Sequence, residues 1–444
     1  MNRIAHRTEE PDISPGMVLL LAVATGLIVA NLYYAQTLVG PISAATGLSP
    51  AAAGLIVTLT QIGYTLGLLF IVPLGDLLEN RRLIFTGLLF TSAMLVIAAL
   101  STSAWLFLAA ALGIGLGSVA AQIIVPFAAH LSKEATRGAT VGKVVSGLLL
   151  GIMLARPVAS LVADATNWHV VFGGAALIVL AVALILRARL PVRVPESTIT
   201  YPKLLASLWH LFLTTPVLRR RAAYHAGLFG AFSLFWTVTP LMLAGPQFHL
   251  SQTGIAIFAL VGMAGAVASP LAGRLADAGH TLMATAAALA LGMVAFALPL
   301  FAPESDALRH VSLSVLVVAS IVLDMGVAAN LVLGQRAIFA LGAHVRSRLN
   351  GVYFALFFAG GALGSALGGW MYAAHGWHAA LLTGMAFPGL ALIYWVTEYA
   401  ARTAAQRSAG PSSRSDSSVP ANPGGRSGCS YRARSTASRR WYPS

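Results

Sequence analysis

The stretch Pro73-Leu-Gly-Asp76-Leu-Leu-Glu-Asn-Arg81-Arg82 closes one apolar run and opens the next, and Gly273-Arg-Leu-Ala-Asp277-Ala-Gly279-His280 does the same in the second half of the chain. Farther along each half, Gly142 and the pair Trp168-His169 recur as Gly351 and Trp377-His378 at one constant offset. Repetition on the scale of half a chain marks a duplicated unit. In an apolar chain, two such units enclose a central site where they meet.

Working outward, 57% of the residues are apolar, 9% are charged and the mean hydropathy is +0.80. A soluble chain of this length carries roughly 25% charged residues, so most of this one cannot face water and is read as integral to a membrane. The net charge of +14 does not form a compact basic domain of the kind that grips nucleic acid. Its Lys and Arg sit in short clusters between apolar runs, the pattern of loops retained on the cytoplasmic side. The single cysteine, Cys429, excludes an intramolecular disulfide.

A helix needs about 20 apolar residues to cross some 30 Å of hydrocarbon. Twelve such stretches are predicted: Met17 to Gly40, Ala51 to Leu74, Leu83 to Leu100, Trp105 to Leu131, Val141 to Ala163, Trp168 to Leu186, Ala222 to Ala244, Gly254 to Leu275, Thr281 to Phe301, Val311 to Leu333, Leu349 to Met371 and Ala379 to Ala400. The reading is an all-α membrane protein of two pseudo-symmetric six-helix halves, residues 17–186 and 222–400. Residues 1–16 form an N-terminal arm. The acidic flank of the first stretch (Glu9, Glu10, Asp12) and its length argue against a cleaved signal peptide.

On one side lie Arg81 and Arg82; Lys133, Arg137 and Lys143; Arg187, Arg189, Arg193, Lys203 and Arg219 to Arg221; then Arg336, Arg346 and Arg348. The opposite loops hold Asp164, Glu304 and Asp306, with Arg309 as their cation. This asymmetry predicts that both termini are cytoplasmic. Residues 187–221 read as a cytoplasmic linker with a surface helix around Leu204 to Leu213. Residues 401–444, rich in Ser, Arg, Pro and Gly, bury too little apolar area to fold and are expected to be disordered.

The two acidic loops resemble the Gly-x-Leu-Ala-Asp-x-x-Gly-Arg-Arg loop of the major facilitator superfamily. Ala30-Asn31-Leu32-Tyr33-Tyr34-Ala35-Gln36, Gln61-Ile-Gly-Tyr64, Phe232-Ser-Leu-Phe-Trp236 and Arg346-Ser-Arg348-Leu-Asn350-Gly351 are similar to its bacterial members of arabinose-efflux-like or drug/proton antiporter type. The resemblance spans roughly Met17 to Ala400. Gly279 comes one residue early and Glu79 stands where that loop has Gly. In the fifth stretch, where antiporters of the family tend to carry Gly-Pro, this chain reads Arg156-Pro157.

The resemblance implies a secondary active transporter moving a small organic molecule across the inner membrane by alternating access, most simply proton-coupled efflux by a monomer. A uniporter, or a proton symporter working in uptake, stands on the same fold. It further implies that Gly75, Asp76, Arg81, Arg82, Gly273, Arg274, Asp277 and Gly279 form loops whose carboxylates, beside a helix N-terminus of the other half, latch the cytoplasmic side shut. The plainer reading makes those aspartates solvated charges that only help define topology, since a surface ion pair contributes about 0 to 1 kcal/mol.

Two formal charges fall deep inside predicted stretches, Arg156 in the fifth and Asp324 in the tenth. A charge at the bilayer centre costs at least roughly 2.5 to 3.5 kcal/mol, so it faces a cavity or a partner. The family's first, fourth, seventh and tenth helices line its cavity, which implies that Asp324 lies on the pathway as a proton carrier. It could instead be a structural acid bonded to Gln122 or Asn330. Arg156 reads either as a partner in coupling or as a donor to carbonyls freed by the missing amide of Pro157.

Asn31 and Tyr34 share a helix face, as do Tyr33 and Gln36. With Gln122, His225, Trp236 and Asn330 they make an aromatic, sparsely polar pocket for a small amphipathic molecule. Each is equally readable as interhelical packing, and His225 as an imidazole satisfied by a neighbouring hydroxyl. The run Gly360-Gly361-Ala362-Leu363-Gly364-Ser365, continued by Gly368 and Gly369, reads as close helix contact rather than a phosphate loop. No stretch concentrates a nucleophile with its base, paired carboxylates with a metal, or a Walker A sequence, so no enzyme, metal, cofactor or ATP-driven pump is expected. The partners expected are a small substrate, protons and lipid. A receptor or scaffold, the reading from another class, would need neither Arg156 nor Asp324.

Overall fold

The computed structural model describes residues 13–134, 136–195, 199–303, 306–342 and 345–408, and among these no strand occurs. The predicted N-terminal arm up to residue 12, Glu304, and the basic tail beyond residue 408 lie outside the described residues. Ten apolar helical segments follow in order: span one, Pro15–Thr46; two, Pro50–Asp76; three, Asn80–Leu100; four, Ala104–His130; five, Arg137–Ala165; six, Trp168–Arg189; seven, Pro216–Ala244; eight, Gln252–Asp277; nine, Thr281–Leu300; ten, Arg309–Phe339.

The last helix, Arg346–Ser408, runs for 63 residues. At about 1.5 Å per residue it would be roughly three bilayers long if straight. It bends at Gly376, whose φ of 78° is open to glycine and strained for other residues. The bend makes span eleven (346–375) and span twelve (377–404). The helix also continues through 401–408, inside the segment expected to be disordered. Its sequence there, Ala-Arg-Thr-Ala-Ala-Gln-Arg-Ser, is built largely of good helix formers.

The two halves repeat the same internal pairing. In the first, span one packs on five, two on four, and three on six. In the second, seven packs on eleven, eight on ten, and nine on twelve. Small residues allow the closest of these contacts. A Cβ on Gly151 would strike the backbone of Gly26, and one on Gly364 that of Gly230. With lipid outside there is little hydrophobic force between helices, so backbone approach of this kind supplies the packing energy.

On the side opposite the basic loops, the halves are sewn together directly. Thr58 and Ser365 share a hydroxyl hydrogen bond of 2.7 Å, and Thr253 Oγ1 donates to Asp164 at 2.6 Å. Gly54 meets the backbone of Ser365 and Gly369, and Leu241 fills the space beside Gly40. On the basic side, span eight turns away from five and packs on nine and ten. There a helix at Tyr201–Thr214 bridges the halves. Its Tyr201 hydroxyl donates to the Phe70 carbonyl at 2.8 Å, while Arg348 of span eleven donates to Ser207 at 3.3 Å. Buried Leu204 and Leu208 seat it.

Candidate functional site

Irregular backbone interrupts four of the spans. Span one stops being α-helical after Ala30, turns through Asn31 to Tyr33 and resumes at Tyr34. Span four is interrupted at Val119, span two carries a π segment at Gly67–Ile71, and span eight tightens to a 3-10 turn at Met263–Val267. Such breaks leave backbone groups without helical partners, and in lipid they are tolerated only where protein or a cavity surrounds them. The strongest polar residues of the sequence stand beside these breaks.

Arg156, on span five, is 3% exposed and crosses to the other half. Its guanidinium lies 4.1 Å from the ring centre of Trp236 and 5.0 Å from that of Phe232, both on span seven. Stacking on aromatic faces is a strong arrangement for a desolvated guanidinium. Its Nε and Nη1 find no hydrogen-bond partner, so the arginine does not serve the carbonyls near Pro157. The backbone carbonyl of Arg156 accepts from Thr37 at 3.4 Å.

Asp324, half-buried on span ten, accepts from Trp236 Nε1 at 3.3 Å. Arg156 acts on it electrostatically, and Tyr33 of span one acts on Arg156 in turn. Gly265 in the 3-10 turn of span eight lets that helix close on the Asp324 Cβ and on the backbone of Ile321 and Met325. Four residues read from sequence, Tyr33, Arg156, Trp236 and Asp324, are therefore one cluster fed by spans one, five, seven and ten. Neither Gln122 nor Asn330 bonds Asp324: Gln122 donates to the Tyr64 hydroxyl at 3.0 Å and Asn330 pairs with His225 Nδ1 at 3.0 Å.

His225 lies on an aromatic ladder that leads to Phe232. Its ring stacks between Tyr353 and Phe357 at 5.3 and 4.4 Å, Phe357 stacks on Phe229 at 3.6 Å, and Phe229 on Phe232 at 5.2 Å. The partner of its Nδ1 is an amide rather than a hydroxyl. Tyr64 joins the ladder through Phe358 at 4.4 Å, and Gln61 Nε2 donates across the halves to Ser233 at 2.8 Å. The remaining pocket residues make no hydrogen bond to the cluster. Asn31 turns its amide onto the Ile28 carbonyl at 2.9 Å, Gln36 is buried with neither amide atom bonded, and Tyr34 is part-buried apolar packing.

The loop residues divide. In the first loop the Gly75 carbonyl accepts from Asn80, Arg193 of the linker holds Asn80 at 2.7 Å, and Arg81 reaches the Leu190 carbonyl. Asp76 is exposed and within electrostatic reach of Arg193 and of Arg348 in the other half. Asp277 instead pairs with Arg336, which lies over Gly273 in its own half. Arg82 and Arg274 are exposed, and Gly279 takes a φ of +80° at the turn. The first loop is thus within electrostatic reach of the opposite half, while the ion pair of the second stays in its own half.

Sequence reading missed two features. The ladder was legible as His225, Phe229, Phe232 and Trp236, spaced three and four along one helix face. The other had no local signal. Arg221, grouped with the loop cations, is buried at the end of span seven and ion-paired to Glu398 of span twelve at 3.4 Å. Tyr224 donates to the same carboxylate at 2.9 Å and Thr285 accepts from Arg221 at 2.7 Å.

A sequence profile of the Major Facilitator Superfamily matches residues 19–315. The Uncharacterized transporter YgaY of Escherichia coli O157:H7 is 38% identical over 385 residues, 86% of this chain and 96% of its own. The Inner membrane transport protein YnfM of Escherichia coli K12 is 27% identical over 253 residues, 55% of this chain and 60% of its own. Among solved structures, the bacterial homolog of the human lysosomal transporter Spinster, in an inward-facing and occupied conformation, superposes with a TM-score of 0.67 at 16% identity. It covers 86% of this chain and 96% of its own.

Proposed function

The chain belongs to the Major Facilitator Superfamily, and from that premise we propose that it is a proton-coupled secondary active transporter carrying a small organic molecule across the inner membrane by alternating access. The observation behind this reading is Asp324, a mid-span carboxyl at the seam between halves, with Arg156 as the cation acting on it from the other half. A proton on Asp324 cancels one charge of that pair, so protonation alters the attraction between the halves. Motion of the halves then exposes the same carboxyl to the other side. The basic loops face the cytoplasm on this reading, and YnfM, named an inner membrane transport protein, supports the location.

Export by exchange is the first form of the cycle: substrate and proton compete for the Asp324 region, and proton entry expels substrate. Asp324 would then load its proton from outside and release it to the cytoplasm. A second form, in which substrate and proton travel together, draws support from the unpartnered Nε and Nη1 of Arg156. Purified chain in liposomes with an entrapped pH dye, challenged with a compound library under an imposed pH gradient, tests the proposal. Substrate-dependent proton movement that disappears in Asp324→Asn supports it, and flux indifferent to the gradient refutes proton coupling. The sign of proton movement relative to substrate separates exchange from co-transport.

A further inference from the structure

We propose that Arg156 is the anchor for an anionic group on the substrate, so that the transported molecule is a small organic carboxylate. The inference rests on the co-transport form of the reading above. Three observations meet at this side chain. The residue is 3% exposed and lies inside a membrane span, where a charge is costly unless matched. Its guanidinium carbon lies over the rings of Trp236 and Phe232, which leaves its edge N–H groups as its means of binding anything further. Two of those nitrogens, Nε and Nη1, are buried and bond nothing.

A planar fork of this kind is matched by a carboxylate, which accepts two parallel hydrogen bonds from it. Asp324 does not supply that match, since it makes no ion pair with Arg156 at contact distance and spends one oxygen on the Trp236 indole. Among the described residues, the titratable and charged groups acting on this cluster are Arg156, Asp324 and Tyr33, with Tyr64 beyond Tyr33. The site as a whole is therefore close to neutral with Asp324 ionised and singly positive with it protonated. A negative substrate is repelled by an ionised Asp324 and admitted by a neutral one, so proton and anion load together. The substrate carboxylate goes to the Arg156 edge and the proton to Asp324, with no covalent step.

Thermal unfolding of the full chain in detergent tests this with a panel of acetate, benzoate, salicylate and mandelate, each beside its neutral amide. At least one carboxylate is expected to bind about tenfold or more tightly than its amide, because a hydrogen bond to a charged group is worth that much or more. Arg156→Gln is expected to erase the difference and Arg156→Lys to keep part of it, since an ammonium offers charge without the fork. No carboxylate preferred over its amide, or a preference unchanged in Arg156→Lys and Arg156→Gln alike, overturns the inference. Tighter anion binding at pH 5.5 than at pH 7.5, lost in Asp324→Asn, tests the coupling separately. Anion preference without that pH dependence retains Arg156 as the anchor and rejects Asp324 as the carrier.

Discussion

Trp236 joins Arg156 and Asp324: its ring carries the guanidinium at 4.1 Å while its indole N–H bonds the carboxylate at 3.3 Å. One side chain of the second half thus orients an arginine of the first and an acid of its own. Trp236→Phe keeps an aromatic face and removes the donor, whereas Trp236→Leu removes both. Gradient-driven flux is expected to fall several-fold in the first variant and further in the second, a desolvated cation–π contact being worth about 2 kcal/mol. Equal activity in all three proteins would leave Trp236 a packing residue.

Asp324→Asn preserves shape and hydrogen bonding but removes the titratable group. Accumulation driven by a pH gradient should be lost, with downhill exchange retained. Asp324→Glu should transport in part, with an altered pH profile. Gradient-driven accumulation by Asp324→Asn in proteoliposomes would place the coupling site elsewhere.

The buried pair of Arg221 and Glu398 makes a prediction about stability. Both side chains are under a tenth exposed, so removing one takes from the other its buried counter-ion. Glu398→Gln or Arg221→Met alone should destabilise by about 3 to 5 kcal/mol, while the double apolar replacement Arg221→Met with Glu398→Leu should recover much of that loss. A thermal melt in detergent reads all three, and additive losses would show that the pair does not act as one unit.

The Asp277–Arg336 pair is the opposite case, with side chains 66% and 47% exposed. Breaking it should cost no more than about 1 kcal/mol, so Asp277→Asn should insert and fold like the parent. Asp76→Asn should also fold, but its carboxylate lies within electrostatic reach of Arg348 in the other half. We expect slower turnover in Asp76→Asn than in Asp277→Asn when initial rates are compared at equal protein. Unchanged rates in both would reduce the two aspartates to markers of topology.

Orientation is testable with Cys429 replaced by Ser and single cysteines placed at Arg219 or His249. An impermeant maleimide added to intact cells should label the second and not the first. Labelling of both from outside would rule out the twelve-span arrangement with cytoplasmic basic loops.

The number of membrane helices, their duplication and the existence of a few expensive polar residues were written in local sequence. Each depends on a property that reads along one strand of text: twenty apolar residues cross a bilayer, repeats recur at fixed spacing, and an intramembrane charge requires a reason. Arg156 and Asp324 stood out on that ground alone. Tertiary structure decided their partners. Asp324 meets Trp236 rather than Gln122 or Asn330, and Arg156 leaves its own helix carbonyls for rings on span seven. Arg221 reads as one more loop cation until span twelve brings Glu398 beside it. These contacts join residues roughly 80 to 180 positions apart, a separation set by how two six-helix units pack and invisible to any window of sequence, because pairing energy depends on distance and burial in space.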